Sequence, residues 1–158
     1  MFKTSIDLSP ATREEMIELL NQNLADISDL QSQTKQAHWN VKGSQFIALH
    51  KLFDELAESL EDYIDDIAER AVEMGGIAMG TNRMSAANSR LPEYPADAAD
   101  GLVHVKALVE RYAAVSANTR TAIDEADKAG DKDTADLFTE VSRGMDKWLW
   151  FLEAHLQA

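Results

Sequence analysis

Two pairs of metal-ligand-type side chains, His50/Asp54 and Asp65/Glu69, lie within one long helical pattern that ends at Gly75-Gly76. Each pair is spaced i,i+4, so each occupies a single helix face. With His50 at zero on a helical wheel, Asp54 falls near about 40°, Asp65 near about 60° and Glu69 near about 100°. Phe53, Leu56, Leu60, Ile64, Ile67 and Ala71 gather at roughly 240–320° on the same wheel. The four polar residues therefore form a stripe beside the apolar face. Within one helix they cannot share a metal, because Asp54 and Asp65 stand roughly 16 Å apart along the axis. Their positions offer another route. His50 with Glu69, and Asp54 with Asp65, have the same midpoint, between Ser59 and Leu60. Pack this helix antiparallel on a copy of itself, with a two-fold axis at that midpoint, and each pair faces the other pair twice. The spacing predicts a metal site shared between subunits.

The remainder of the chain fits an all-α protein. The 158 residues are expected to form one domain spanning 1–158, with a short N-terminal segment at 1–9. A hydrophobic content of 45% excludes a disordered chain. Cysteine is absent, which rules out disulfides and thiolate metal sites and fits a reducing compartment. Neither a secretory pattern nor a membrane-length apolar run is present, so the expected location is the cytoplasm, with no membrane partner. The net charge of −13 disfavours nucleic acid and anionic lipid and favours cations, and it also serves solubility.

Ser9-Pro10 reads as an N-cap followed by a first-turn proline, with Thr12-x-x-Glu15 a possible capping box. Met16, Leu19, Leu20, Leu24, Ile27, Leu30, Ala37 and Val41 then recur at helical spacing, predicting a first helix from about 10 to 40. A second runs from about 46 to 74. Gly75 to Pro95 holds three glycines and two prolines and is a connection, long enough to cross the bundle or carry a short helix around Asn82–Asn88. A third helix is expected over Ala96–Asp127. Asp133-Thr134 opens the last, which runs through Leu156. Four long helices with one long middle connection describe a four-helix bundle of ferritin-like connectivity.

Of the four histidines, His38 lies five residues before Gly43 and His50 seven after it. Folding back at that glycine brings the two imidazoles together. Imidazole with carboxylate suits iron or zinc, and a bundle is a usual place for such a site. His104 and His155 are expected at the surface. Trp148 and Trp150, two apart on a helix, should face different sides, one the core and one an interface.

The runs Ala37-His38-Trp39-Asn40-Val41-Lys42-Gly43, Phe46-Ile-Ala-Leu-His50 with Asp54, Asp65-x-x-Ala68-Glu69-Arg70-Ala71, and Gly75-Gly76 resemble the Dps family of mini-ferritins. The likeness continues in Asp133-Thr134-Ala135-Asp136 and Asp146-Lys147-Trp148-Leu149-Trp150-Phe151 and covers essentially the whole chain. The resemblance implies a ferroxidase centre built from His38, His50 and Asp54 of one subunit and Asp65 and Glu69 of its two-fold neighbour. It further implies a hollow dodecamer that oxidises iron(II), preferably with hydrogen peroxide, stores iron(III) mineral inside and so protects DNA from oxidative damage. The ligand set is also open to zinc as a competitor.

Two further roles come with the resemblance. Trp39, beside His38, is implied as an electron donor that quenches stray oxidant; packing in an interface is the alternative, and the two are compatible. Asp127, Asp131 and Asp136 become candidates for a three-fold pore that admits iron, although a solvated turn explains the cluster equally well. Glu58 and Glu61 lie on the site side of the second helix and read as a solvated face. Some Dps proteins shield DNA by binding it through a basic terminal arm. Here the first ten residues hold only Lys3, and Glu153-Ala-His155-Leu-Gln-Ala158 has no basic cluster, so direct DNA binding is expected to be weak or absent.

Overall fold

A computed structural model describes residues 1–157. The chain forms α1 (Pro10–Asn40), α2 (Phe46–Glu73), the short α3 (Asn82–Asn88), α4 (Gly101–Ala129) and α5 (Lys132–Glu153). Hairpins α1–α2 and α4–α5 are antiparallel pairs that close on one another, with α1 against α4 and α2 against α5. The expected bundle and the short helix in its long connection are both present. Within the core, Phe53, Tyr112 and Phe138 are the bulkiest buried side chains, layered among Leu20, Leu24, Leu30, Leu56 and Leu60.

Local chemistry sets the helix ends. Ser9 caps α1 by accepting from the Thr12 amide at 3.1 Å, with Pro10 fixed in the first turn. The Thr12/Glu15 box is not used, because the helix has already begun. α4 starts at Gly101, later than the apolar pattern suggests, since the segment after Pro95 turns before Asp100 can accept from the Leu102 amide at 2.9 Å. α5 starts one residue earlier than expected, capped by Asp131. It stops at Glu153, short of Leu156.

The connection from α2 to α4 lies along a polar stripe of α1. Asn21 donates to Ile77 O at 3.0 Å and accepts from Met79 N at 2.7 Å. Gln22 donates to Asn88 O at 2.9 Å, and Gln33 to Pro92 O at 3.1 Å. Between them, buried Asp26 accepts from the Arg90 amide at 2.8 Å and from its guanidinium at 2.6 and 2.9 Å. Asp29 takes the Ser89 hydroxyl at 2.6 Å. These positions recur at helical spacing, so one face of α1 holds the whole crossover.

Candidate metal centre

The α1–α2 turn reverses tightly because Gly43 adopts a φ of 110°, a region open to glycine at no steric cost. Lys42 N donates to Ala99 O at 2.8 Å, pinning the turn to the start of α4. The reversal stacks the His38 and His50 rings with centroids 3.8 Å apart and planes 19° from parallel. Each imidazole bonds the other's backbone: His38 Nδ1 donates to His50 O at 2.7 Å, and His50 Nδ1 to His38 O at 2.8 Å. A carbonyl can only accept, so both Nδ1 atoms carry the proton. In the neutral ring this leaves the lone pair on Nε2, the tautomer a metal ligand needs. The location of His38 makes this possible, since the last-turn carbonyls of α1 have no helical partner. Phe46 closes the outer side, stacked on His50 at 5.1 Å.

Asp54 lies beside the pair, its Oδ1 3.7 Å from His38 Nε2. The same oxygen accepts from Lys35 Nζ at 2.7 Å. That bond, more than any other influence, holds the Asp54 carboxyl below the usual range, with burial opposing and His38 and His50 adding to the depression. Lys35 is the site residue that the sequence reading missed. Its signal was its place three residues before His38, on the same face of α1.

Asp65 and Glu69 are exposed on α2, and neither makes a side-chain hydrogen bond or ion pair among the described residues. Asp65 lines a cavity of about 770 Å³ together with Lys35, Trp39, Glu61, Asn82 and Ser85. Trp39 is 66% exposed there, beside His38 in sequence but pointing out of the bundle. Within one chain, no group of three or more ligand-type side chains among the described residues can hold a metal. One chain thus brings together His38, His50 and Asp54 and leaves Asp65 and Glu69 apart, as the axial spacing along α2 requires.

The aspartates of the α4–α5 turn differ sharply from one another. Asp136 is exposed, and Asp127 is exposed and paired with Lys132. Asp131, expected among the pore-facing carboxylates, is only 2% exposed. Its oxygens are taken by Arg70 at 2.9 Å and by the Thr134 amide at 3.1 Å and hydroxyl at 2.5 Å, so it serves the fold of the turn. Glu58 is exposed, and Glu61 accepts from Gln31 at 3.2 Å. His155 is exposed, as expected. His104 is not: it is fully buried, against Phe53 and Tyr94. Trp148 packs on the core while Trp150 is exposed.

Comparison with known proteins agrees with this architecture. Residues 17–158 match the Ferritin family, described as a ferritin-like domain. A DNA protection during starvation protein from Agrobacterium fabrum is 48% identical over 155 residues, covering 98% of this chain and 96% of its own. The Dps of Mycobacterium smegmatis superposes with a TM-score of 0.95 at 28% identity, over 100% of this chain and 95% of that one. A Vibrio cholerae Dps, described as a member of a broad superfamily of ferritin-like diiron-carboxylate proteins, gives 0.92 at 26% identity over 99% and 98%. The chain belongs to the ferritin-like superfamily and, within it, to the Dps family.

Proposed function

We propose that this chain oxidises iron(II), preferably with hydrogen peroxide, at sites shared across a two-fold axis, and stores the product as iron(III) mineral inside a hollow dodecamer. The observation that carries the reading is the reciprocal lock of His38 and His50. It presents two imidazole nitrogens at one end of α2's polar stripe, while Asp65 and Glu69, two carboxylates without an ion pair among the described residues, stand at the other. An antiparallel copy of α2 supplies each half with what it lacks.

The donor set fits iron as substrate. Neutral imidazole accepts iron(II), and hard carboxylate oxygens favour the oxidised ion. In this reading His38 and His50 bind through Nε2, and Asp65 and Glu69 of the neighbouring chain are the anionic anchors. Asp54 joins as a ligand, or orients one through water, once Lys35 releases it. Two iron(II) ions supply both electrons that peroxide needs for reduction to water, so no hydroxyl radical is released. In the same reading Trp39 donates an electron to oxidant that escapes, and its exposure equally suits packing in the subunit interface. Exposed Asp127 and Asp136 remain the candidates to attract iron at a three-fold entry. Zinc suits the same donors and should compete.

The name of the Agrobacterium relative concerns DNA protection during starvation. Removal of iron and peroxide in the cytoplasm would give that protection chemically. Direct binding is the other reading, and a net charge of −13 disfavours it. Tight retention of DNA in a low-salt gel-shift would reverse that preference.

Co-assembly tests the shared site. A His38→Ala/His50→Ala variant and an Asp65→Ala/Glu69→Ala variant should each fail to oxidise iron(II). Refolded together, random pairing yields hybrid dimers with one intact site each, so about a quarter of wild-type activity should return. No recovery in particles of full size would sink the shared-site reading, as would a fully active monomer.

A further inference from the structure

The connection ahead of α4 contributes Tyr94, whose hydroxyl lies 2.7 Å from His104 Nδ1, with the two rings stacked at 5.9 Å. His104 is fully buried, and its Nε2 has no hydrogen-bond partner. The carbonyls of Asn40 and Ala98 lie near it, and Asp100 lies at longer range. The Arg111 guanidinium sits over the Tyr94 ring, 5.4 Å from its centroid. Neither partner is explained by the metal centre, yet both lie close to it. Phe53, next to Asp54 in α2, meets His104 edge-on at 6.3 Å, and Tyr94 lines a cavity of about 370 Å³ that Trp39 also lines.

We propose that Tyr94 is a redox-active tyrosine with His104 as its built-in proton acceptor, forming a neutral tyrosyl radical when a strong one-electron oxidant attacks near the metal centre. The source of that oxidant is a hydroxyl radical formed when a single iron(II), not one of a pair, reduces peroxide by one electron, a side reaction of the function proposed above on which this step rests. In the step, an electron leaves the phenol and the Tyr94 O–H bond breaks as a bond from hydrogen to His104 Nδ1 forms. The electron reduces hydroxyl radical to hydroxide, either directly or after Trp39 has been oxidised first and is restored by Tyr94. The products are the Tyr94 radical, the His104 imidazolium and hydroxide, so charge and atoms balance.

The surroundings make the proton transfer obligatory. Arg111 above the ring opposes a positive charge on it, so the electron cannot leave while the proton stays. Burial pushes the Tyr94 phenol well above its ordinary range, so loss of the proton to solvent beforehand is closed as well. His104 is held neutral by the same burial and is available to accept. Once protonated, it is favoured by the backbone of Asn40 and Ala98 and by the Asp100 charge. Among the described residues, neither of the other two tyrosines hydrogen-bonds a base. Tyr112 shares its hydrogen bond with the Thr34 hydroxyl at 3.3 Å, and the Tyr63 hydroxyl packs on Gly144.

The test begins with metal-free protein and azide radicals made by pulse radiolysis, which oxidise exposed tryptophan without iron. Tryptophan-radical absorbance should decay as tyrosyl absorbance rises. Tyr94→Phe, which keeps the ring, should abolish most of the rise, while Tyr63→Phe and Tyr112→Phe should leave it. His104→Gln should slow the transfer on the order of 100-fold, the low end for loss of a positioned base. An undiminished tyrosyl yield in Tyr94→Phe, or an unchanged rate in His104→Gln, would overturn the proposal. Should His104→Gln fail to fold, wild type in heavy water decides: a slower transfer supports the pair, and an equal rate refutes it. A second arm adds iron(II) and peroxide and reads the tyrosyl signal by freeze-quench electron paramagnetic resonance. A signal in the azide arm but none here leaves the pair standing and removes iron chemistry as its oxidant.

Discussion

Lys35 decides the state of Asp54 before any metal arrives. The ammonium lies 2.7 Å from the carboxylate oxygen nearest His38, so a cation entering there must displace it. Lys35→Met should raise the Asp54 carboxyl toward the ordinary range and tighten iron(II) binding, read by carboxyl-carbon NMR titration and calorimetry. Its effect on stability should be small, because the pair is partly exposed and screened by solvent. An Asp54 titration unmoved by the substitution would show that the pair does not form in solution. His104 carries a different signature. Burial holds its folded-state pKa below the ordinary 6.5, so the unfolded chain takes up that proton first as pH falls. Its contribution is whole above pH 6.5 and declines as pH drops toward the depressed value. The slope is at most about 1.4 kcal/mol per pH unit. Denaturant midpoints across mildly acidic pH should therefore fall less steeply in His104→Gln than in wild type. The two residues also mark what sequence can reveal. His38, His50 and Asp54 were legible because their spacing and one glycine bring them together. Lys35 was hidden because a long flexible side chain reaches its partner only through tertiary packing. His104 was hidden because its partner comes from an aperiodic connection, which no helical spacing reports.

Among the elements, α1 does two jobs on two faces. One face carries the apolar residues that fill the core, and the other presents Asn21, Gln22, Asp26, Asp29 and Gln33 to the crossover. Asp26 is the anchor, since its fully buried carboxylate holds both the amide and the guanidinium of Arg90. Asp26→Ala should lower unfolding free energy by about 2 kcal/mol, less than for a wholly buried pair because Arg90 keeps access to water. Hydrogen exchange should quicken over α3 and its flanks ahead of the rest of the bundle. Uniform exchange across all helices would mean that the crossover unfolds only with the core. The helix spans of α1 and α2 and the position of α3 could be read from the chain, because caps, glycines and apolar spacing agree there. The starts of α4 and α5 could not, because Asp100 and Asp131 act as caps only once the preceding turns are built. The polar stripe of α1 was invisible for a simpler reason: a buried polar row and a solvated one look alike in sequence.

For the whole molecule, the decisive point is the midpoint of α2. Ser59 is half-buried there, its hydroxyl turned onto Leu56 O at 2.8 Å, and the proposed two-fold axis passes between it and Leu60. A bulky side chain at that point should separate the copies without touching any ligand. Ser59→Trp is expected to keep its helicity yet shrink in analytical ultracentrifugation, losing iron oxidation in step with assembly. Full activity in a dissociated Ser59→Trp protein would place the site inside one chain. Most of the fold and the cluster of His38, His50 and Asp54 were thus legible in a single sequence, and under the proposed function Asp65 and Glu69 join them only from a second chain. The grip of α1 on the crossover has one more consequence. At Ile77, Asn88 and Pro92 it clasps carbonyls, and at Met79 an amide, so it reads the course of that segment and not its side chains there. Residues such as Ile77 and Met79, both turned outward, are free to drift without loosening the clasp. A lineage could therefore rewrite the outer surface of the crossover while the bundle beneath stays the same.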